Sequence, residues 1–310
     1  MEISIIICSY NRCHNLAECF DHLTQQSDVD DLSWEVVLVD NNSTDDTRSV
    51  VRQLASELGI NIRYFFEPEQ GLSAARNKGI KEAKGTYLLF IDDDIRVTRS
   101  WLASIYKTFK EFDCDVVGGR IHVESPASFP AWIRPDMYGF LGHQDFGETP
   151  HAMDGINEFP FGGNMAIHRR VFDKVGNFDT NRGRKGEGRK KNELFKGEET
   201  DFFQRLAKAG GSFYYQPNAL VMHKILPHQL KKRFFLTLHA NAGILHAKND
   251  HAPHKRRLAG IPLFVFLQFI RSIKSYIVLF LEKGPDYAFR QRMNIYYFWG
   301  MLQGYYFKNN

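Results

Sequence analysis

The sequence predicts an α/β fold built on a mainly parallel sheet flanked by helices, with a helical extension at its C-terminal end. Three observations predict it. Short apolar runs bounded by turn residues alternate with stretches of helical spacing between residues 3 and 123. Polar clusters recur where those runs end. Past residue 225 the chain changes character and becomes basic and aromatic.

The first strand is expected at "ISIIIC" (3 to 8), followed by strands at "WEVVLVD" (34 to 40), "IRYFFE" (62 to 67), "TYLLFID" (86 to 92) and "DVVGGRIHV" (115 to 123). Helical spacing fills the gaps, at residues 15 to 25, 47 to 58 and 72 to 83. Strands that are apolar on both faces and alternate with helices of this length imply βαβ units and parallel pairing. Ligands on such sheets sit at the carboxyl ends of the strands. That is where "SYN", Asp40 and the run Asp92-Asp93-Asp94 fall.

Further along, residues 128 to 147 mix Pro, Gly and aromatics without period, which predicts a long loop beside the site. Residues 181 to 197 hold four glycines and seven basic residues with no apolar anchor in the first half, and a mobile loop is expected there. "GEETDFFQRLAKAG" then reads as a helix with acids in its first turn and Gly210 at its end. The apolar run at 258 to 270 is 13 residues long and is separated from "YIVLFL" (276 to 281) by Arg271 and Lys274. It falls short of the ~20 residues a spanning helix needs, so helices lying in a membrane interface are expected.

Composition narrows the function. With 43% hydrophobic residues in 310 the chain can bury a sizeable core, as a domain over residues 1 to 225 and a helical region over 226 to 310. The net charge of +4 conceals an asymmetry. Residues 224 to 310 carry 14 Lys and Arg against 3 Asp and Glu, and the residues before them carry 26 against 33. A basic, aromatic end of this kind fits an anionic membrane surface better than nucleic acid. Cys8, Cys13, Cys19 and Cys114 form no CxxC pair, which disfavours zinc and disulfide frameworks and fits reduced thiols in the cytoplasm. The first apolar run is too short, and its flanks are wrong, for a secretory leader.

Three adjacent carboxylates at the end of a buried strand repel one another and are costly to desolvate, so something positive is expected among them. Taken alone, the run fits either a divalent cation or a solvated turn ahead of the next helix.

The segments "SIIICSYNR", "VVLVDNNSTDDT", "GLSAARNKGIKEAKGTYLLFIDDD", "FGGNMAIHRRVF" and "GEETDFFQRLAKAG" resemble, in this order and spacing, the family 2 glycosyltransferases with the Rossmann-like GT-A fold. The resemblance runs from residue 1 to about 225. It implies a nucleoside diphosphate sugar as donor, a UDP-sugar by preference, and transfer with inversion to a hydroxyl of a glycan or lipid-linked acceptor. In the family the residue matching Asp40 accepts the imide N–H of uracil; here it could also be a turn former in "DNNSTDD". Ser9, Tyr10 and Asn11 would line the same nucleotide pocket. Arg76 in "GLSAARN", and Gly163 and Asn164 in "FGGN", become donor-site candidates.

Under the same resemblance Asp92, Asp93 and Asp94 hold the ribose and a cation bridging the donor diphosphate. Asp92 and Asp94 take the outer positions and Asp94 is the favoured direct ligand. Carboxylates and phosphate oxygens together select a hard cation, Mn²⁺ or Mg²⁺. His223 in "ALVMHK" is a further metal candidate, against an ordinary structural role. The family base belongs to a Glu-Asp pair followed two residues later by Asp; here the pair is Glu198-Glu199, which leaves the base between Glu199 and Asp201.

Two other classes compete. One is an inactive module that only binds nucleotide or membrane. The other is an aspartate-dependent phosphatase, whose motif sits on the first strand with Thr or Val where this chain has Arg96. A P-loop kinase is excluded, because no GxxxxGK[ST] is present.

Overall fold

A computed structural model describes residues 1 to 125, 128 to 187 and 190 to 309. The chain forms two compact units. The first comprises residues 1 to 126, 138 to 187 and 197 to 225, and the second residues 127 to 137, 188 to 196 and 226 to 310.

In the first unit the elements follow the predicted alternation. They are β1 (Ile3–Ser9), α1 (Cys13–Thr24), β2 (Trp34–Asp40), α2 (Thr47–Glu57), β3 (Ile62–Phe66), α3 (Leu72–Glu82) and β4 (Tyr87–Asp92). Then come β5 (Ile95–Val97), α4 (Trp101–Phe112), β6 (Val116–Glu124), β7 (His151–Met153), β8 (Met165–His168), α5 (Arg170–Val175), α6 (Glu198–Lys208) and β9 (Phe213–Lys224). All nine strands join one sheet in the order β3-β2-β1-β4-β8-β6-β9-β5, with β7 on β9. The block β3-β2-β1-β4 is parallel throughout; beyond β4 the pairing is mixed, because β8 runs antiparallel to both β4 and β6.

The strands read as continuous apolar runs because both faces are covered. Ile5, Ile7, Leu38, Leu89 and Ile91 pack into one core layer, while their alternating neighbours Ile6, Val37, Val39, Leu88 and Phe90 pack into the other. Chain order reverses at β1, which has β2 on one side and β4 on the other. That reversal opens the crevice where such sheets take ligands. The register sets Ser9 beside Asp40 and Cys8 beside Asp92, so the polar ends of β1, β2 and β4 lie level.

The second unit holds three long helices, α7 (Lys232–Asn249), α8 (Leu263–Lys283) and α9 (Pro285–Asn309), and a two-stranded turn, β10 (Arg257–Leu258) with β11 (Ile261–Pro262). Helices α7 and α9 meet backbone to backbone. A Cβ on Gly243 would lie 2.0 Å from the Tyr297 carbonyl oxygen, and one on Gly300 2.0 Å from that of Ala240. Trp132 belongs to this unit and packs edge-on against Phe235 and Phe289 at 5.1 and 4.7 Å.

The structure corrects two expectations. Residues 128 to 147 are not all loop, since Pro135–Leu141 forms a 3-10 helix with Met137 and Leu141 buried. Residues 263 to 270 of the first short apolar run and the whole of the second lie on one continuous 21-residue helix, α8, long and apolar enough by length and composition to cross a membrane, while residues 258 to 262 of the first run belong to the two-stranded turn. A charge interrupts apolarity but not helix geometry, and Arg and Lys are good helix formers. Only Val265 and Ser272 of α8 are buried.

Candidate active site

The aspartate run sits at the β4–β5 turn, and the positive charge it requires comes first from the protein. Arg12 extends from the β1–α1 loop so that its Nη1 donates to Asp93 Oδ1 at 3.2 Å and to Asp94 Oδ2 at 3.0 Å. Ser9 Oγ donates to Asp93 Oδ2 at 2.7 Å. Burial drives the Asp93 carboxyl above the usual range against the pull of Arg12. Ser9, at 2% exposure, and Asp93, at 3%, are therefore spent on each other and on Arg12, not turned to a ligand.

Asp94 differs. Its Oδ1 is buried with no hydrogen-bond partner among the described residues and lies 3.5 Å from His223 Nε2. Strand pairing fixes this approach, because His223 on β9 stands opposite Ile95 on β5. Burial works to raise the Asp94 carboxyl, but His223 and Arg12 outweigh it and hold it below the usual range. Burial likewise works to lower the His223 imidazole, and Asp94 overcomes this and raises it. An unsatisfied carboxylate oxygen beside an imidazole nitrogen is a donor pair suited to a cation. Among the described residues no three such groups converge on one point. Mn²⁺ or Mg²⁺ would fit here by drawing the rest of its shell from substrate phosphates and water, a common arrangement for Mg²⁺.

Arg76 lies deeper than expected. Its side chain is 2% exposed, rests 5.6 Å from the Phe178 ring centre, and faces carboxylates on two elements. Nη1 is 3.1 Å from Glu199 Oε1 and 3.5 Å from Glu198 Oε1, and Nη2 is 4.0 Å from Asp92 Oδ1. One guanidinium thus joins the end of β4 to the start of α6. Asp92 is the open member of the aspartate run, its side chain 37% exposed. Glu198 is buried, its Oε2 has no hydrogen-bond partner among the described residues, and burial reinforced by Glu199 raises its carboxyl above the usual range. Glu199 is 20% exposed. Asp201 instead pairs with Arg205 at 3.0 Å and Arg182 at 3.6 Å. Of the two base candidates, only Glu199 shares Arg76 with Asp92.

The glycine pair of "FGGN" makes this possible. A Cβ on Gly162 would lie 2.1 Å from Arg76 Nη2 and 2.2 Å from Glu199 Oε1, so the backbone passes where a side chain cannot. Gly163 comes next, its Cβ position 3.8 Å from Asp92 Oδ2. Asn164 turns the other way. Its Nδ2 donates to the carbonyls of Arg120 and Ala219, and its Oδ1 accepts from Trp101 Nε1. It is a core residue, and its amide does not reach a donor site as expected.

At the other end of the crevice, Asp40 Oδ1 accepts the Ser43 N–H at 2.9 Å and Oδ2 accepts the Tyr64 hydroxyl at 2.7 Å. The turn-forming role is real, and each oxygen keeps capacity for another donor. Asn11, at φ 52°, braces the same turn by accepting from the Thr44 N–H at 2.8 Å. Tyr10 is half-buried beside it. Sequence reasoning missed Arg12, Tyr64 and Gly162. Arg12 directly follows "SYN" and could have been flagged. Tyr64 has no signal beyond that of a strand residue.

Comparison with known proteins agrees with this geometry. Residues 4 to 176, more than half of the chain, match the profile of Glycosyl transferase family 2. Glycosyltransferase AglE of Haloferax volcanii is 28% identical over 235 residues, covering 75% of this chain and 70% of that protein. Among solved structures, a Pyrobaculum calidifontis mannosyltransferase in complex with GDP-Man and Mn²⁺ superposes with a TM-score of 0.66 at 17% identity, over 99% of this chain and 88% of that one. S. aureus TarS 1-349 in complex with UDP-GlcNAc gives 0.57 at 15% identity, over 98% and 91%. At such identities these two likenesses speak for the fold alone. A parallel β3-β2-β1-β4 block with its acids level at one edge, matched by that profile along those strands, makes this chain a member of glycosyl transferase family 2, a glycosyltransferase of GT-A fold.

Proposed function

We propose that the protein transfers a sugar from a UDP-sugar to a hydroxyl of a glycan or lipid-linked acceptor, by a single displacement that inverts the anomeric centre. The observation that carries this reading is the Arg76 bridge, which brings the open carboxylate of Asp92 and the base candidate Glu199 to one guanidinium. Asp40 receives the base of the nucleotide, with Tyr10 and Asn11 beside it, and Asp92 and Gly163 face the ribose and diphosphate. Asp94 and His223, with Asp92, would hold Mn²⁺ or Mg²⁺, which when bound neutralises charge on the departing diphosphate. Glu199 takes the acceptor hydroxyl proton as that oxygen bonds to C1 and the C1–O bond to the diphosphate breaks, its electron pair leaving with the nucleoside diphosphate. Arg76 holds Glu199 in place and pairs as well with the buried Glu198.

The acceptor reading rests on the second unit. Leu267, Ile270, Ile277, Val278 and Leu281 of α8 are exposed, with Arg271 and Lys274 between them. Both charges sit at the middle of the helix. If α8 spanned a bilayer they would lie at its centre, at about 2.5–3.5 kcal/mol each. Lying in the interface, their stems cover apolar surface while the charges meet lipid phosphates. These features support a peripheral position on the cytoplasmic face of a membrane, and the four free thiols fit that reading.

A panel of UDP- and GDP-sugars with Mn²⁺ or Mg²⁺, read by nucleoside diphosphate release and by NMR of the product anomer, tests the proposal. Release from a UDP-sugar with an inverted product supports it; a chain that binds and turns over no nucleotide sugar defeats it.

A further inference from the structure

The basic segment after α5 is not a free loop where the structure describes it. The Leu72 N–H donates to the Arg184 carbonyl at 3.0 Å and Ser73 Oγ donates to the Arg182 carbonyl at 2.9 Å, so residues 182 to 184 are tied across the first turn of α3. Gly183, at φ 99°, is seated between Ser73 and Glu198; a Cβ there would lie 3.0 Å from Ser73 Oγ and 3.3 Å from Glu198 Cδ. The aliphatic stem of Lys185 passes 3.8 Å from the Cβ position of Gly71, whose N–H donates to Asn41 Oδ1 at 2.8 Å. Asn41 is the neighbour of Asp40. The segment therefore has one edge against Glu198, the neighbour of the base candidate Glu199, and the other beside Gly71 and Asn41 at the nucleobase end of the crevice.

Two cations ride on this strap. Lys185 is exposed and Arg184 half-buried, and neither side chain has a hydrogen bond or ion pair among the described residues. A pinned backbone thus carries two cations, unpaired among the described residues, between Gly71 beside Asn41 and Glu198 at the start of α6.

We propose that Arg184 and Lys185 bind the diphosphate oxygens of the nucleoside diphosphate, and that they share with the metal site the task of stabilising it as a leaving group. The inference rests on the donor reading given above and adds two binding residues to it. Arg184 offers a planar fork to two phosphate oxygens and Lys185 a point charge. Neither contact needs a cation, so part of the affinity for a diphosphate should survive chelation.

The test is equilibrium binding by calorimetry of UDP, GDP and uridine to the full chain, with Mg²⁺ and separately with EDTA. The proteins compared are wild type, Arg184→Ala/Lys185→Ala, and Arg184→Lys. The double variant should bind the diphosphate that wild type prefers at least tenfold more weakly in both buffers, while uridine affinity stays within twofold. Arg184→Lys should recover part of the loss. Equal diphosphate affinity in wild type and double variant overturns the assignment while leaving the donor reading intact. Parallel loss of uridine binding also overturns it, because the strap would then be only a wall of the nucleoside pocket. A wild type that binds neither diphosphate overturns both readings.

Discussion

Replacing Gly162 with alanine is the sharpest perturbation of the site. The new methyl would lie 2.1 Å from Arg76 Nη2 and 2.2 Å from Glu199 Oε1, where an ordinary contact is about 3.5–4 Å. One of the three groups must retreat by more than 1 Å. Arg76 has nowhere to go, being 2% exposed and backed by Phe178. Glu199 is freer, so the clash should separate it from Arg76. Removing one partner from a buried ion pair costs about 3–5 kcal/mol, and here the pair is partly exposed and Arg76 keeps Glu198 and Asp92, so about 2 kcal/mol is expected. Misplacing a reacting group by about 1 Å lowers turnover about 10²-fold. Gly163→Ala is the comparison, since its Cβ would find 3.4 Å to Ile95 Cδ1 and 3.8 Å to Asp92 Oδ2, and its loss should stay under about tenfold. The assay is nucleoside diphosphate release under kcat/KM conditions together with thermal unfolding. Turnover of Gly162→Ala within threefold of wild type would refute the claim that Arg76 positions Glu199.

Other predictions follow from the same structure. Asp94→Asn should abolish the metal-dependent part of donor binding and lower kcat/KM by about 10²-fold or more, measured as the difference between Mg²⁺ and EDTA titrations; undiminished metal stimulation in the variant would count against Asp94 as ligand. His239 on α7 is buried with Nδ1 2.9 Å from the Phe235 carbonyl, and burial lowers its pKa to about 4. Its proton affinity is thus higher in the unfolded chain, where the pKa is about 6.5. Stability is full above pH ~6.5 and should fall by up to about 3 kcal/mol as pH drops towards 4; in thermal melts His239→Gln should flatten that acid limb, and an unchanged slope would exclude His239 as its source. For α8, Ile270→Glu with Ile277→Glu should release the protein from anionic vesicles in flotation, while added salt alone should weaken binding without removing it. Wild-type protein that never floats would leave the α8 face without a lipid role.

Much of the first unit was legible because its signals are local. A buried parallel strand announces itself by unbroken apolarity, and the residue at its end inherits a place at the sheet edge. Asp40 and the aspartate run could be located that way. What could not be read was the division of labour within the run. Adjacent letters Asp92, Asp93 and Asp94 take three different environments because the β4–β5 turn points them apart, and Arg12, some 80 positions earlier, claims the second and third. The same holds for Ser9 and Asn164, whose polar side chains look available on paper and are consumed inside the fold. Residues 128 to 137 and 190 to 196, placed by composition in loops of the first unit, cluster with the C-terminal helices through long-range packing that no window of sequence contains. The expected mobility of residues 181 to 196 concerns in part Gly188 and Arg189, which lie outside the described residues.

Arg76 has a consequence for how such a site can change. A guanidinium offers a fixed number of N–H groups in one plane, and here a single one serves a carboxylate at the end of β4 and two at the start of α6. The two ends are therefore one electrical object. Charge brought to Asp92 alters the hold of Arg76 on Glu199, and a proton taken up at Glu199 alters its hold on Asp92; by thermodynamic reciprocity the two effects are equal in free energy. With the roles proposed above, donor occupancy and readiness of the base would be linked without any movement of the backbone, and a substitution that retunes one half of the crevice would be felt in the other.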